Sequence, residues 1–143
     1  MYSVIVGVGN PLLGDDAVGL EVGKRLKGNV NADVKLAIAG GLELAEMIAD
    51  YDLAIIIDAF KGKGIKEIDV DDYEESVANH DISFPSAYRI LSRYIRMPKV
   101  RIIGIGINGI EIKEELSPKI KKMIPEVVKK VKEIMEEENE LAI

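Results

Sequence analysis

The chain contains no cysteine. That excludes disulfide bonds, thiolate metal sites, iron–sulfur ligation and a cysteine nucleophile, and it agrees with the cytoplasm as compartment. There is a single histidine, His80, so a helical His-Glu-x-x-His zinc motif is excluded as well. Positive charge is scarce. Nineteen Lys and Arg against 25 Asp and Glu leave a net charge of −6. A general nucleic-acid binder needs a basic face, and so does a protein held on an anionic membrane, so neither partner is expected. No apolar run approaches the roughly 20 residues of a bilayer span. The first residues read directly as strand, and no signal peptide is expected from them.

What is present is a chain of 143 residues, expected to form one domain over 1–143. That length buries most of its unfolded surface without covalent staples. Ile and Val are abundant and 31% of residues are charged, mostly Lys and Glu, a mix typical of proteins from hot environments.

Hydrophobic patterning predicts the elements. Tyr2 to Val8 is a short β-branched run, read as a buried strand ending in Gly-Val-Gly-Asn-Pro. A helix is expected from near Asp15, with Val18, Val22 and Leu26 inward and Gly28-Asn29 as its stop. A second strand, Asp33 to Ala39, breaks at Gly40-Gly41. The helix Leu42–Ala49 then places Leu42, Ala45 and Ile48 on one side. Leu53 to Asp58 is the most apolar strand and is expected to be central, with Asp58 at its tip. After the turn Lys61-Gly62-Lys63-Gly64, the alternating run Ile65–Val70 reads as an antiparallel sheet edge. Asp71 to Ser83 has no clean period and suits a functional loop. A helix near Pro85 would pack Tyr88, Leu91 and Ile95, and Val100–Ile105 is a further buried strand. In the last helix Ser117 is the N-cap, Pro118 takes the first position, and a stripe runs from Ile120 to Met135. Its acidic end, Glu136–Glu140, is expected to be solvated and frayed. The order β-α-β-α-β-β-α-β-α predicts an α/β fold: a three-layer α/β/α sandwich around a twisted, mostly parallel five-stranded sheet with one antiparallel edge strand.

Three residues stand out chemically. In an open α/β sheet, residues just past the strand ends converge on one crevice. Asp16, Asp58 and His80 are candidates to meet there, and two carboxylates with an imidazole suit a borderline divalent metal. Each also has a plainer reading. Asp15 can cap the helix while Asp16 favours its dipole, but one cap accounts for one aspartate only. Asp58 can cap the next turn. His80 can be a surface residue. The turn Gly7–Gly14 has Leu12 where a dinucleotide fingerprint wants glycine, and no Lys-Ser/Thr follows Gly14, which leaves a small-anion or nucleotide site without its usual motif. A hydrolytic triad on Ser83, Ser86 or Ser117 lacks the Gly-x-Ser-x-Gly elbow.

The run Gly7-Val8-Gly9-Asn10-Pro11-Leu12-Leu13-Gly14-Asp15-Asp16-Ala17-Val18-Gly19 closely resembles the N-terminal motif of the hydrogenase maturation endopeptidases. Ile56-Ile57-Asp58-Ala59 resembles the family's second acidic motif, and His80 stands where the family places its histidine. Ile103-Gly104-Ile105 and Leu116-Ser117-Pro118 match its last strand and the cap of its last helix. The resemblance implies a phosphorylase/hydrolase-like sandwich, and a nickel-recognising endopeptidase of aspartic or metallo type. Such an enzyme removes the C-terminal extension of a nickel-loaded [NiFe] hydrogenase large-subunit precursor. It implies Asp16, Asp58 and His80 as metal ligands, and a carboxylate such as Asp16 could then double as general base. The nickel would be the substrate's own, with zinc or cadmium able to stand in for it in a crystal. Where family members carry an acidic residue followed by Gly-Gly-Thr or Gly-Gly-Ser, this chain has Ala39-Gly40-Gly41-Leu42. Gly40 and Gly41 are then the substrate-facing backbone, and the change bears on which target is bound. The alternative is a module of the same fold that binds metal or precursor without cutting it.

Overall fold

The computed structural model describes residues 1–74 and 82–142. Five strands form one sheet in the order β2-β1-β3-β5-β4. They are β1 (Ser3–Val8), β2 (Asp33–Ala37), β3 (Leu53–Lys61), β4 (Ile65–Ile68) and β5 (Lys99–Ile107). All pairs are parallel except β4 against β5, so the expected antiparallel edge is present. The helices are α1 (Val18–Leu26), α2 (Gly41–Ile48), α3 (Phe84–Leu91) and α4 (Pro118–Leu141), and a 3-10 turn, Gly14–Ala17, leads into α1.

The strand period of two divides the core. Ile5, Ile55, Ile57, Ile103 and Ile105 pack on the face covered by α1 and α4. Val4, Val6, Val8, Ala54, Ile56 and Ile102 pack on the opposite face with residues of α2 and α3. Strands buried on both faces are apolar on both, which is why Val4–Val8 of β1 and Leu53–Ile57 of β3 read as unbroken apolar runs. The chain leaves β3, crosses the end of β5 and returns as β4, so β5 lies between two strands that are neighbours in sequence. The crossing is tight. A Cβ on Gly106 would lie 2.5 Å from the Lys63 backbone, and the Gly106 N–H donates to the Gly64 carbonyl at 2.7 Å.

Several expectations change in detail. α2 buries Leu44, Ala45 and Ile48, and leaves Leu42 exposed at its first turn. α3 is anchored by fully buried Phe84 and ends before Ile95, which is exposed. β3 runs three residues past Asp58, because β5 continues to pair with it as far as Lys61↔Ile107.

The acidic end of α4 is the largest correction. The helix continues to Leu141, and Glu138 is 4% exposed. Arg101, projecting from β5, explains both. Its guanidinium donates to Glu67 of β4 (2.8 Å twice), to Glu137 (2.8 Å) and to Glu138 (3.1 Å), while Lys99 pairs with Glu138 at 3.0 Å. A planar fork of donors suits this convergence of carboxylates. Its hydrogen bonds hold the Glu67 carboxyl below the ordinary value of 4.5. A lowered folded-state value contributes stability above pH 4.5 that is lost as pH falls through the folded value. Arg101→Gln is expected to lower stability by about 3 kcal/mol at pH 7 by leaving Glu138 with less compensation. In urea titrations, the gap between wild type and variant should narrow below pH 4.5. A gap independent of pH would assign Arg101 a packing role only.

Candidate active site

The site begins with close backbone contact. β1 stops pairing with β3 at Gly7↔Ile57, whereas β3 continues alongside β5 from Asp58↔Gly104 onward. The last residues of β3 therefore project past the end of β1, and the 3-10 turn packs beside them. Glycine makes the approach possible. A Cβ on Gly19 would lie 2.4 Å from both the Ile57 and Val8 carbonyl oxygens, and one on Gly9 would lie 2.4 Å from the Asp16 carbonyl oxygen. No side chain larger than hydrogen fits at either position without moving backbone.

This contact places two carboxylates at one cleft. Asp16, in the 3-10 turn, and Asp58, in β3, are each 1% exposed, and both line a cleft of about 630 Å³ at the carboxyl ends of the parallel strands. Asp58 shares the parity of Ala54 and Ile56 and so lies on the α2/α3 face, while Asp16 approaches from the turn above the end of β1. The remaining wall includes Phe60, Lys66, Ile68, Tyr73 and the segment Ile107–Ile110, with Lys61, Asp72 and Glu74 also lining the cleft. Lys66 holds its ammonium 4.5 Å from the centre of the Phe60 ring.

Buried carboxylates must be hydrogen-bonded. The Asn10 N–H donates to Asp16 Oδ2 at 2.9 Å. The Ala59 N–H donates to Asp58 Oδ1 and the Tyr73 hydroxyl to Asp58 Oδ2, both at 2.8 Å. Donors of this kind orient a carboxylate toward a metal or a reacting group. Asn10 also accepts the Leu12 N–H through Oδ1 (2.9 Å), which shapes the turn carrying Asp16.

Asp15 does not cap the helix that follows it. Its carboxylate accepts the Ser117 N–H (2.7 Å) and the Ser117 hydroxyl (2.9 Å) across 102 residues of sequence. The acid thereby sits at the N-terminus of α4, where the helix dipole favours it, and ties the 3-10 turn to the last helix. The backbone adds to the tie, with Gly14 N–H donating to the Lys113 carbonyl at 2.8 Å. Ser117 is the N-cap of α4 as expected, accepting from the Ile120 N–H.

Gly40 and Gly41 sit at the start of α2, beyond the end of β2, and both are buried. They lie at the same end of the sheet as the cleft but do not line it. His80 lies outside the described residues. Among the described residues, no group of three or more His, Cys, Asp or Glu is placed to hold a metal ion, and no helix is long and apolar enough to cross a membrane. The donor set of Asp16 and Asp58 is oxygen alone, which suits a divalent cation needing further ligands from elsewhere. Sequence reasoning missed Tyr73. The available signal was one aromatic in an otherwise polar stretch, Asp71 to Ser83.

Gly19→Ala is expected to cost about 3 kcal/mol in urea unfolding, because the added methyl meets two carbonyl oxygens and neither strand can yield. A loss near zero would mean that the 3-10 turn is not held by this contact.

No family model matches the sequence, and no curated protein matches it. Solved structures do. The hydrogenase maturating endopeptidase HybD from Escherichia coli superposes with a TM-score of 0.76 at 23% identity, over 96% of this chain and 94% of that one. The [NiFe] hydrogenase maturation protease HycI from Thermococcus kodakarensis gives 0.71 at 24% identity, over 94% and 92%. An endopeptidase from Escherichia coli, solved in solution, gives 0.71 at 25% identity, over 92% and 90%. With the five-stranded sheet, its single antiparallel edge and near-complete mutual coverage, this chain has the fold of the hydrogenase maturation endopeptidases.

Proposed function

We propose that this chain is a cytoplasmic endopeptidase that removes the C-terminal extension of a nickel-loaded [NiFe] hydrogenase large-subunit precursor. The observation that carries this reading is the convergence of Asp16 and Asp58, 42 positions apart, on one cleft at the carboxyl ends of the strands. Two solved structures of the same fold bear the names of proteases acting in hydrogenase maturation, which supports the same class of reaction.

In this proposal the nickel belongs to the substrate. Asp16, Asp58 and His80 bind it, and the ion polarises the scissile carbonyl or activates a water when precursor is bound. Oxygen and imidazole donors suit nickel without holding it as tightly as thiolates would, which fits a protein that must release its product. Asp16 takes the proton from the attacking water as general base and passes it to the leaving amine as the C–N bond breaks, with the Asn10 N–H holding its orientation. Asp58 is fixed from both oxygens by Ala59 and Tyr73 and positions the ion. The backbone at Gly40 and Gly41 receives the substrate segment. The absence of a hydroxyl or acid in Ala39-Gly40-Gly41-Leu42 then shifts which precursor is accepted.

The test is incubation of the purified protein with nickel-loaded and nickel-free precursor, with the released tail read by mass spectrometry. Cleavage of the loaded form alone is expected. Asp16→Asn and Asp58→Asn should each lose roughly 10²-fold or more in rate. Equal cleavage of both precursor forms would remove nickel from the mechanism. Stable capture of loaded precursor with no released tail would replace the endopeptidase by a binding module.

A further inference from the structure

We infer that Tyr73 is a positioning residue for Asp58, acting through a hydroxyl held in place by α3. The inference rests on the reading of Asp58 as a site carboxylate.

The Tyr73 hydroxyl donates to Asp58 Oδ2 at 2.8 Å, and the two residues are 3% and 1% exposed. A hydrogen bond to a buried carboxylate is charge-assisted, and it fixes direction as well as distance. The other carboxylate oxygen is held by the N–H of the adjacent residue, Ala59, which belongs to the same strand and moves with it. Tyr73 is therefore the donor, of these two, that references Asp58 to a different part of the fold.

The tyrosine is itself constrained. It follows the 3-10 turn Val70–Asp72, which continues from edge strand β4. Its ring meets Phe84 edge to face, with centroids 5.8 Å apart and planes at 71°. Phe84 is fully buried at the first turn of α3, and its ring lies 6.0 Å from that of Tyr88 in the same helix. The chain of contacts runs from α3 through Phe84 and Tyr73 to the carboxylate. A tyrosine at this position supplies what phenylalanine cannot, a rigid ring that ends in a donor. Packing alone would be satisfied by phenylalanine.

The test is Tyr73→Phe, which removes one oxygen and keeps the ring, compared with Tyr88→Phe. Tyr88 donates instead to the Pro98 carbonyl at 2.6 Å, away from the cleft, so it controls for the loss of a hydroxyl near Phe84. Both variants should lose a similar amount in Tm. Tyr73→Phe alone should reduce kcat for precursor cleavage about 10- to 100-fold with KM little changed, as expected for loss of an outer partner of a metal-binding carboxylate. In crystal structures of the two variants and wild type, the Asp58 carboxylate should rotate or split into two orientations only in Tyr73→Phe. An unchanged Asp58 orientation, or a kcat matching that of Tyr88→Phe, would overturn the inference. If wild type cleaves no precursor, the proposed function fails, and the Asp58 orientation still decides the role of Tyr73.

Discussion

Contact of backbone against backbone sets where the cleft forms. The 3-10 turn and α1 rest directly on the ends of β1 and β3, at contacts that only the hydrogens of Gly7, Gly9 and Gly19 leave room for. Dispersion between atoms at that separation is small per pair and adds up over the contact, which forms only where no Cβ intervenes. The register of the strands prepares the space: β1 ends its pairing with β3 at Gly7, while β5 carries β3 onward. An acid in the projecting part of β3 and an acid in the turn then come to line one cavity. Lifting the turn by one side-chain layer would take Asp16 away from the cleft that Asp58 lines.

Around that contact the molecule is fastened by acids whose partners are distant in sequence. Asp15 joins the turn to the N-terminus of α4 through Ser117, and Glu137 and Glu138 join the C-terminal end of α4 to β5 and β4 through Arg101. The long helix is thus held at both ends by charge-assisted bonds, with Ile124, Val127 and Val131 packed between them on the sheet. Neighbouring aspartates in the turn divide the work. Asp15 faces α4 and fastens the scaffold, whereas Asp16 faces the cleft.

The proposed chemistry needs few groups because the substrate is expected to bring the metal. The described part of the chain has two buried carboxylates at the cleft. In the proposed reading the ion arrives already held by the precursor and gains these carboxylates as further ligands. In such a site the direction of each carboxylate matters more than affinity. The hydrogen bonds from Asn10, Ala59 and Tyr73 supply that direction.

Local chemistry made much of this legible in sequence. Unbroken aliphatic runs identified β1 and β3 as buried strands, Ser117-Pro118 marked the start of α4, and the alternation of Ile65–Val70 marked an antiparallel edge. Each depends only on side-chain periodicity or capping, which act over a few residues. The resemblance of the Gly7–Gly19 run correctly implied the fold. Other features needed the third dimension. Asp58 read as a strand tip because strand length depends on the partner, and β5 lies more than 40 residues away. Asp15 read as a cap because Ser117 is invisible to a local window, and Glu138 read as frayed because Arg101 is on another element. The sequence by itself determined which segments become strands and helices and which side chains carry charge. Only the tertiary structure decided which of those charges are buried together, since that follows from the separation of backbones packed across the sheet and not from order along the chain.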